Sequence, residues 1–544
     1  MILQQFDAQF LGRLRTAFAA QLPEYLPKQR WFGSKARSIQ SVYLSDCLPV
    51  PLPRSLALIA LAVVEFVEGP AERYVLPLVA PPPNGPCSVD STVVRIPVSD
   101  HASEQPLNDA LRDHEFLTAI LAAIVSSKSI AGERGVLRAT PEPSLNQQTV
   151  AFSATLRPRL LKGEQSNSSV VYGDQFIFKF FRRLEEGVHP DLEIGRFLTS
   201  VAHFPNVPPH CGSLNYVSHE RTSMTLGVLQ GFVPNQGDAW RHTVEHLVER
   251  FASPDHPTEE QQPGSFRRSA SKAKSDLFTS DASEHRRARL ELIGLLGKRT
   301  AELHLALGSS SADPEFVPES VTPEFREELD GAFHDLAVRN FETLRLKLAG
   351  LPEPVTELAK QVLKLEDHAL LILHSILERD ISSIRIRIHG DYHLGQVLFT
   401  GSDYFIIDFE GEPARPLSAR RTKRSPLQDV AGMLRSFHYA ASSASLAANK
   451  RVAQSQRNVV PSRKQIEELA RQWQALAIRE FLRSYRTTAG DAKFLPSSPA
   501  DFDALLKLHL LEKAIYELGY ELNNRPAWLA IPLEGIRDIV TTRS

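Results

Sequence analysis

Three cysteines, Cys47, Cys87 and Cys211, are all that 544 residues carry, and no C-x-x-C occurs among them. Their odd number and wide spacing exclude a cysteine zinc knot and point to a reducing compartment. Long apolar runs are also missing: no window approaches the ~20 uninterrupted apolar residues of a membrane span. The N-terminal M-I-L-Q-Q-F-D-A-Q-F lacks the basic start and apolar stretch of a secretory signal. Charge of one sign is absent, since the formal net charge is -2. Nothing global therefore argues for a nucleic-acid partner or an acidic membrane surface. No internal repeat and no G-x-G-x-x-G is found. These absences read as a soluble cytoplasmic protein.

Hydrophobic residues make up 42% of the chain, enough for packed cores. The length predicts two or three structural units. Helical spacing over 4–26 is followed by the cationic loop P-K-Q-R-W-F-G-S-K-A-R (27–37). Two apolar runs, 56–66 and 74–80, read as a hairpin. A first unit, 1–100, ends at the P-P-P-N-G-P linker (81–86) or after a strand at 93–98. A second, 101–230, opens with a helix at 107–125 and continues with strands at 149–156, 169–172, 176–180 and 225–232, broken by a helix at 191–198. From 231 to 544 the pattern is helical, apart from strands near residue 391. Within it, 252–290 opens as A-S-P-D-H-P-T-E-E-Q-Q-P-G-S, too polar to offset its ordering entropy by burial, and reads as a mobile insertion.

The chemistry concentrates in R-I-H-G-D-Y-H-L-G-Q-V-L-F (387–399). His389, Asp391 and His393 alternate, so an extended chain points them one way. That pattern fits a metal site, a phosphotransfer loop or a buried polar strand end. A metal-dependent hydrolase needs further His or Asp ligands, and no second cluster appears. Downstream, V-L-F, the turn T-G-S-D and Y-F-I-I-D-F-E form a hairpin. It gathers Asp391, Gln396 and Asp408 at one end. ATP phosphotransfer needs a carboxylate for the acceptor hydroxyl, with an amide oxygen and a second carboxylate on Mg2+. Asp391 fits the first role, and Gln396 and Asp408 fit the second. His389 braces the loop, and His393 braces it or lines the acceptor site.

An upstream half accompanies this hairpin. Lys179 sits inside the apolar F-I-F-K-F-F (176–181), where an amine needs a partner. Glu193, fourteen positions on, fits a helix glutamate that holds a phosphate-binding lysine. In G-E-Q-S-N-S-S-V-V-Y-G (163–173), Ser166, Ser168 and Ser169 fit a phosphate-capping turn. L-Q-G-F-V (229–233) places Gln230, Phe232 and Val233 where an adenine-binding hinge belongs. Near the C-terminus, Glu517 and Glu521 share a helix face. Their bland reading is a solvated salt-bridge ladder with Lys513. Trp528 beside these acids suits a carbohydrate.

The motif H-G-D-Y-H-L-G-Q (389–396) with D-F-E-G-E-P (408–413) resembles the signature of the maltokinase family. R-W-F-G-S-K-A-R (30–37) resembles that family's cap motif, and E-K-A-I-Y-E-L-G-Y-E-L-N-N-R-P-A-W (512–528) its sugar-site helix. The resemblance implies an α+β, bilobal protein-kinase-like fold with an N-terminal cap. It implies ATP-dependent phosphorylation of maltose at the anomeric hydroxyl, with Mg2+ and ATP, feeding α-glucan synthesis. His393, Glu410, Tyr516, Glu517, Glu521 and Trp528 would then bind sugar, and Asp429 would support the catalytic loop with His389. A trehalose synthase is a conceivable partner, and the chain a monomer or homodimer. Glucosamine is the rival sugar, and a non-catalytic ATP- or sugar-binding module is the rival class.

Overall fold

The computed structural model describes residues 7–53, 55–81, 91–97, 104–145, 156–161, 167–253, 276–379, 381, 383–413, 415–455 and 460–542. The chain divides into two compact units, Met1–Pro234 with Ala414–Arg420, and Asn235–Pro413 with Arg421–Ser544.

The first unit holds two antiparallel sheets. One orders its strands Ile39–Pro51, Leu56–Phe66, Glu72–Val79, Glu104–Asp109 and Thr92–Pro97, with Arg183–Leu184 added against Glu72–Val79. Within Leu56–Phe66, residues 56–64 form an unbroken apolar run because both faces are covered there. Leu58, Ala60, Ala62 and Val64 pack with the helix Ala8–Tyr25, while Ala57, Ile59 and Leu61 face a second core. The second sheet runs Ser129–Ala131, Gly135–Pro141, His210–Ser218, Ser223–Gly231, Phe176–Phe181, Asn167–Tyr172 and Pro158–Leu160. The helix His114–Val125 shares the second core with Phe178, Phe180 and Tyr172. Asp46 ties the sheets together. Its buried carboxylate accepts from the backbone N–H of Glu133 (2.8 Å) and Arg134 (3.1 Å) and from the Tyr216 hydroxyl (2.7 Å).

Two expectations change here. The helix expected from 107 begins at His114, because Asp113 caps it by accepting from Phe116 N at 2.8 Å. Residues before it form the strand Glu104–Asp109, which belongs to the first sheet, so that sheet extends past residue 100. The strand expected at 149–156 lies, up to residue 155, outside the described residues.

The second unit is helical, built around Leu427–Ala453, which is buried along most of its first half. Arg463–Ala489, Pro499–Asn524 and Ala239–Phe251 pack on it. At Gly432 an added Cβ would lie 2.6 Å from the Tyr392 carbonyl, so this helix seats the 389–393 loop against its backbone. Of the expected insertion at 252–290, residues 254–275 lie outside the described residues. From Asp276 the chain is already in the helix Asp276–Leu307. The expected boundary at 290 therefore falls inside a helix; a polar helix start was not separable from a loop by composition. Besides the hairpin, a short pairing of Glu319–Ser320 with Ile384–Arg385 was not anticipated.

Candidate active site

The hairpin forms as expected, Val397–Phe399 against Tyr404–Ile406, antiparallel in the register Val397↔Ile406. One step beyond, the Gln396 carbonyl accepts from Ile407 N at 3.0 Å. That register brings Gln396 beside the residue preceding Asp408. Asp408 is no longer in the strand. It adopts φ +71°, a left-handed conformation that is strained for a non-glycine residue. Its carboxylate oxygen lies within 4.8 Å of one from Glu410. Asp408 and Glu410 together offer oxygen donors of the kind that suits a hard divalent cation such as Mg2+.

The 389–393 loop is held by backbone bonds to one buried acid. Asp429 accepts from His389 N (2.8 Å) and Gly390 N (2.9 Å), and His304 Nε2 lies 3.2 Å away. Burial alone would push this carboxyl up. The His304 ring, the His389 ring and the Gly390 N–H outweigh it and hold Asp429 below the usual carboxylate range. The His389 Nε2–H donates to the Ile407 carbonyl at 2.9 Å, which links the loop to the hairpin. Asp391 is thus carried on a loop fixed from both sides. Its carboxylate has His393 Nε2 at 3.9 Å and Lys513 Nζ at 3.6 Å. Burial, together with the charges of Lys513 and His389, lowers the His393 pKa despite Asp391.

Glu517 and Glu521 are buried, so they form no solvated ladder. Arg435 donates to Glu517 Oε2 through Nε (2.8 Å) and Nη2 (2.7 Å). Arg525 donates to both oxygens of Glu521 at 3.0 and 2.6 Å, and the Tyr439 hydroxyl adds a bond at 3.1 Å. Trp528 stacks on Tyr439, ring centroids 6.0 Å apart. Tyr516 hydrogen-bonds Glu412; burial and that acid raise its pKa.

In the first unit, Lys179 Nζ pairs with Asp191 Oδ2 at 3.0 Å. Asp191 lies in the first turn of the helix Pro190–Ser200, two residues before the expected Glu193, which is half-buried. Ser169 lies opposite Lys179 across the strand pair. Its hydroxyl is buried and has no hydrogen-bond partner among the described residues. Ser168 Oγ accepts from Arg182 Nε at 3.0 Å, and Ser166 lies outside the described residues. Gln230 is buried in Ser223–Gly231, opposite Ile177, and Phe232 N donates to the Gln175 carbonyl at 2.8 Å. Val233 follows, also buried.

Residues 25–113 match the maltokinase N-terminal cap domain, and residues 273–464 match the phosphotransferase enzyme family. The chain is a capped member of the phosphotransferase enzyme family. Among proteins similar to this capped phosphotransferase is a glucosamine kinase of Streptacidiphilus jiangxiensis, 24% identical over 70% of the chain and 73% of the relative. A glucosamine kinase of Mycolicibacterium smegmatis (strain ATCC 700084 / mc(2)155) is 23% identical over 51% and 58%. A crystal structure titled glucosamine kinase (crystal form B) covers 97% of the chain and 99% of its own at TM-score 0.61 and 20% identity. Another, in complex with glucosamine, ADP and inorganic phosphate, covers 96% and 98% at TM-score 0.58 and 21% identity. These structures establish the kinase-like fold of the capped phosphotransferase, a sheet-rich N-terminal part and a helical C-terminal part.

Several residues around the candidate site escaped sequence reasoning. Asp191 was passed over because Glu193 fitted a familiar strand-to-helix spacing; the P-D start of the helix was the available signal. Glu412 lies in the D-F-E-G-E-P motif but only Glu410 was singled out. Lys513 was seen only as a ladder member, and Arg435, far away in sequence, gave no signal. The basic A-R-R-T-K-R run (419–424) is structural in part. Lys423 donates to Glu319 and the Pro314 carbonyl, both at 2.7 Å, and Arg421 to Glu315 at 2.9 Å.

Proposed function

We propose that this protein transfers the γ-phosphoryl group of ATP to the anomeric hydroxyl of maltose, giving maltose 1-phosphate for α-glucan synthesis. The observation that carries the choice of a neutral sugar is the acceptor end around Asp391. There the acids on the sugar-site helix are paired with arginines, Glu517 with Arg435 and Glu521 with Arg525. A fixed amine, Lys513, already stands 3.6 Å from Asp391. An ammonium-bearing sugar finds no uncompensated carboxylate among those two acids, whereas a neutral disaccharide needs none. The match to a maltokinase-type cap points the same way.

Asp391 takes the proton of the acceptor hydroxyl or orients it for in-line attack. Gln396, Asp408 and Glu410 supply the oxygens that would hold Mg2+, and the bound ion would neutralise charge on the phosphates. Lys179, paired with Asp191, draws on the phosphates. The unpartnered Ser169 hydroxyl is suited to donate to a phosphate oxygen. Gln230, Phe232 and Val233 contribute the adenine side. Tyr516 and Trp528 offer flat apolar faces of the kind that pack on pyranose C–H groups.

A second reading is glucosamine, favoured by the names of the similar proteins. The experiment is ATP consumption with maltose, glucosamine, glucose and trehalose as acceptors. Maltose is expected to give the highest kcat/KM. A preference for glucosamine establishes the second reading, and no sugar-dependent turnover rejects both.

A further inference from the structure

Four carboxylates, Asp391, Glu412, Glu517 and Glu512, act on one amine, that of Lys513. Such a cluster would recruit a cationic acceptor, but the chain places its own ammonium there. Lys513 Nζ stands 3.6 Å from Asp391 Oδ1 and 4.9 Å from the centroid of the Tyr516 ring. Burial works against its charge, yet the surrounding acids raise its pKa above the ordinary lysine value, so it is protonated at neutral pH. The acids are also engaged elsewhere. Glu517 accepts from Arg435, Glu512 lies 3.3 Å from His509 Nδ1, and Glu412 bonds Tyr516.

We propose that Lys513 determines specificity: its fixed ammonium fills the cation position beside Asp391 and so favours neutral over cationic sugars. The inference rests on Asp391 being the acceptor carboxylate and deepens that assignment. A substrate ammonium bound at the same carboxylate meets a like charge at close range, in a site partly withdrawn from water. Like charges a few ångströms apart under such conditions repel strongly enough to change affinity by about tenfold or more.

Glucose and glucosamine form a matched test pair, because they differ only in hydroxyl against ammonium at one carbon. Their inhibition constants against the best acceptor are measured on the full chain at pH 6 with ATP and Mg2+. The proteins are wild type, Lys513→Met and Lys513→Arg. Wild type is expected to bind glucose more tightly. Lys513→Met should shift the ratio toward glucosamine by about tenfold or more, while Lys513→Arg keeps the wild-type ratio. An unchanged ratio in Lys513→Met overturns the proposal. So does an equal shift in both variants, which would mark packing and not charge. If a variant transfers no phosphate, equilibrium binding of the two sugars by calorimetry gives the same ratio; Lys513→Gln replaces Lys513→Met if the latter does not fold. Failure of the Asp391 assignment would show separately, as Asp391→Asn retaining wild-type turnover.

Discussion

Asp391 and Asp408 lie about the same hairpin but should fail differently. Asp391→Asn is expected to lower kcat by on the order of 10³-fold while nucleotide still binds, because proton transfer belongs to the transition state. Asp408→Asn should remove Mg2+-dependent nucleotide binding, read by calorimetry with and without the ion. A third residue sets a pH dependence far from these two. His210 is fully buried, and neither ring nitrogen has a hydrogen-bond partner among the described residues. Burial, aided by Arg196, pulls its pKa down to about 3. Below the ordinary histidine value the unfolded chain binds a proton here that the folded chain does not, so stability rises with pH. Between pH ~6.5 and 3 this group alone contributes a slope of about 1.4 kcal/mol per pH unit. Replacing it, His210→Leu, should flatten the acid limb of the unfolding curve by that slope. An identical acid limb would contradict the burial argument.

Among elements, the helix Pro499–Asn524 shows what spacing could and could not reveal. The i,i+4 acids Glu517 and Glu521 were visible as a face, but not that Arg435 and Arg525 neutralise them. Arg435 sits 82 positions away on another helix. Breaking a buried pair strands a charge, so Glu517→Gln should destabilise the fold by roughly 3–5 kcal/mol, measured by denaturant unfolding. A change confined to the sugar KM, with stability intact, would restore the direct sugar-contact role. The hairpin Val397–Phe399 with Tyr404–Ile406 was legible because its signals are local: alternating apolar residues, a T-G-S-D turn and acids at fixed offsets. The left-handed Asp408 was not, since nothing in D-F-E marks a positive φ. Lys179 was legible as an amine in an apolar strand, whereas its pairing with Asp191, two residues before Glu193, was not. The strand Glu104–Asp109 was hidden for another reason. Residues 107–125 carry one continuous apolar pattern, and only the Asp113 cap divides strand from helix.

At the scale of the whole molecule, the kinase-like fold could be anticipated, while the edges of its parts could not. Composition marked 252–290 as a single segment. The helix Asp276–Leu307 instead claims its end, and Arg289 donates to His242 Nε2 at 2.8 Å. Two deletions should therefore differ. Removing 254–275 is expected to leave Tm and turnover nearly unchanged, and limited proteolysis should cut there first. Removing 254–290 takes helix and Arg289 with it and should lower Tm clearly. Equal effects of the two deletions would show that the polar stretch itself is structural.

The central claim is that Asp391 serves a phosphotransfer to a neutral sugar. It is tested most directly by 31P NMR of the product formed from ATP, Mg2+ and an equimolar mixture of maltose and glucosamine. One phosphorylated product, maltose carrying phosphate at its anomeric oxygen, is expected, and it should disappear with Asp391→Asn. Phosphorylated glucosamine as the main product, or maltose 1-phosphate formed undiminished by the variant, would contradict the account.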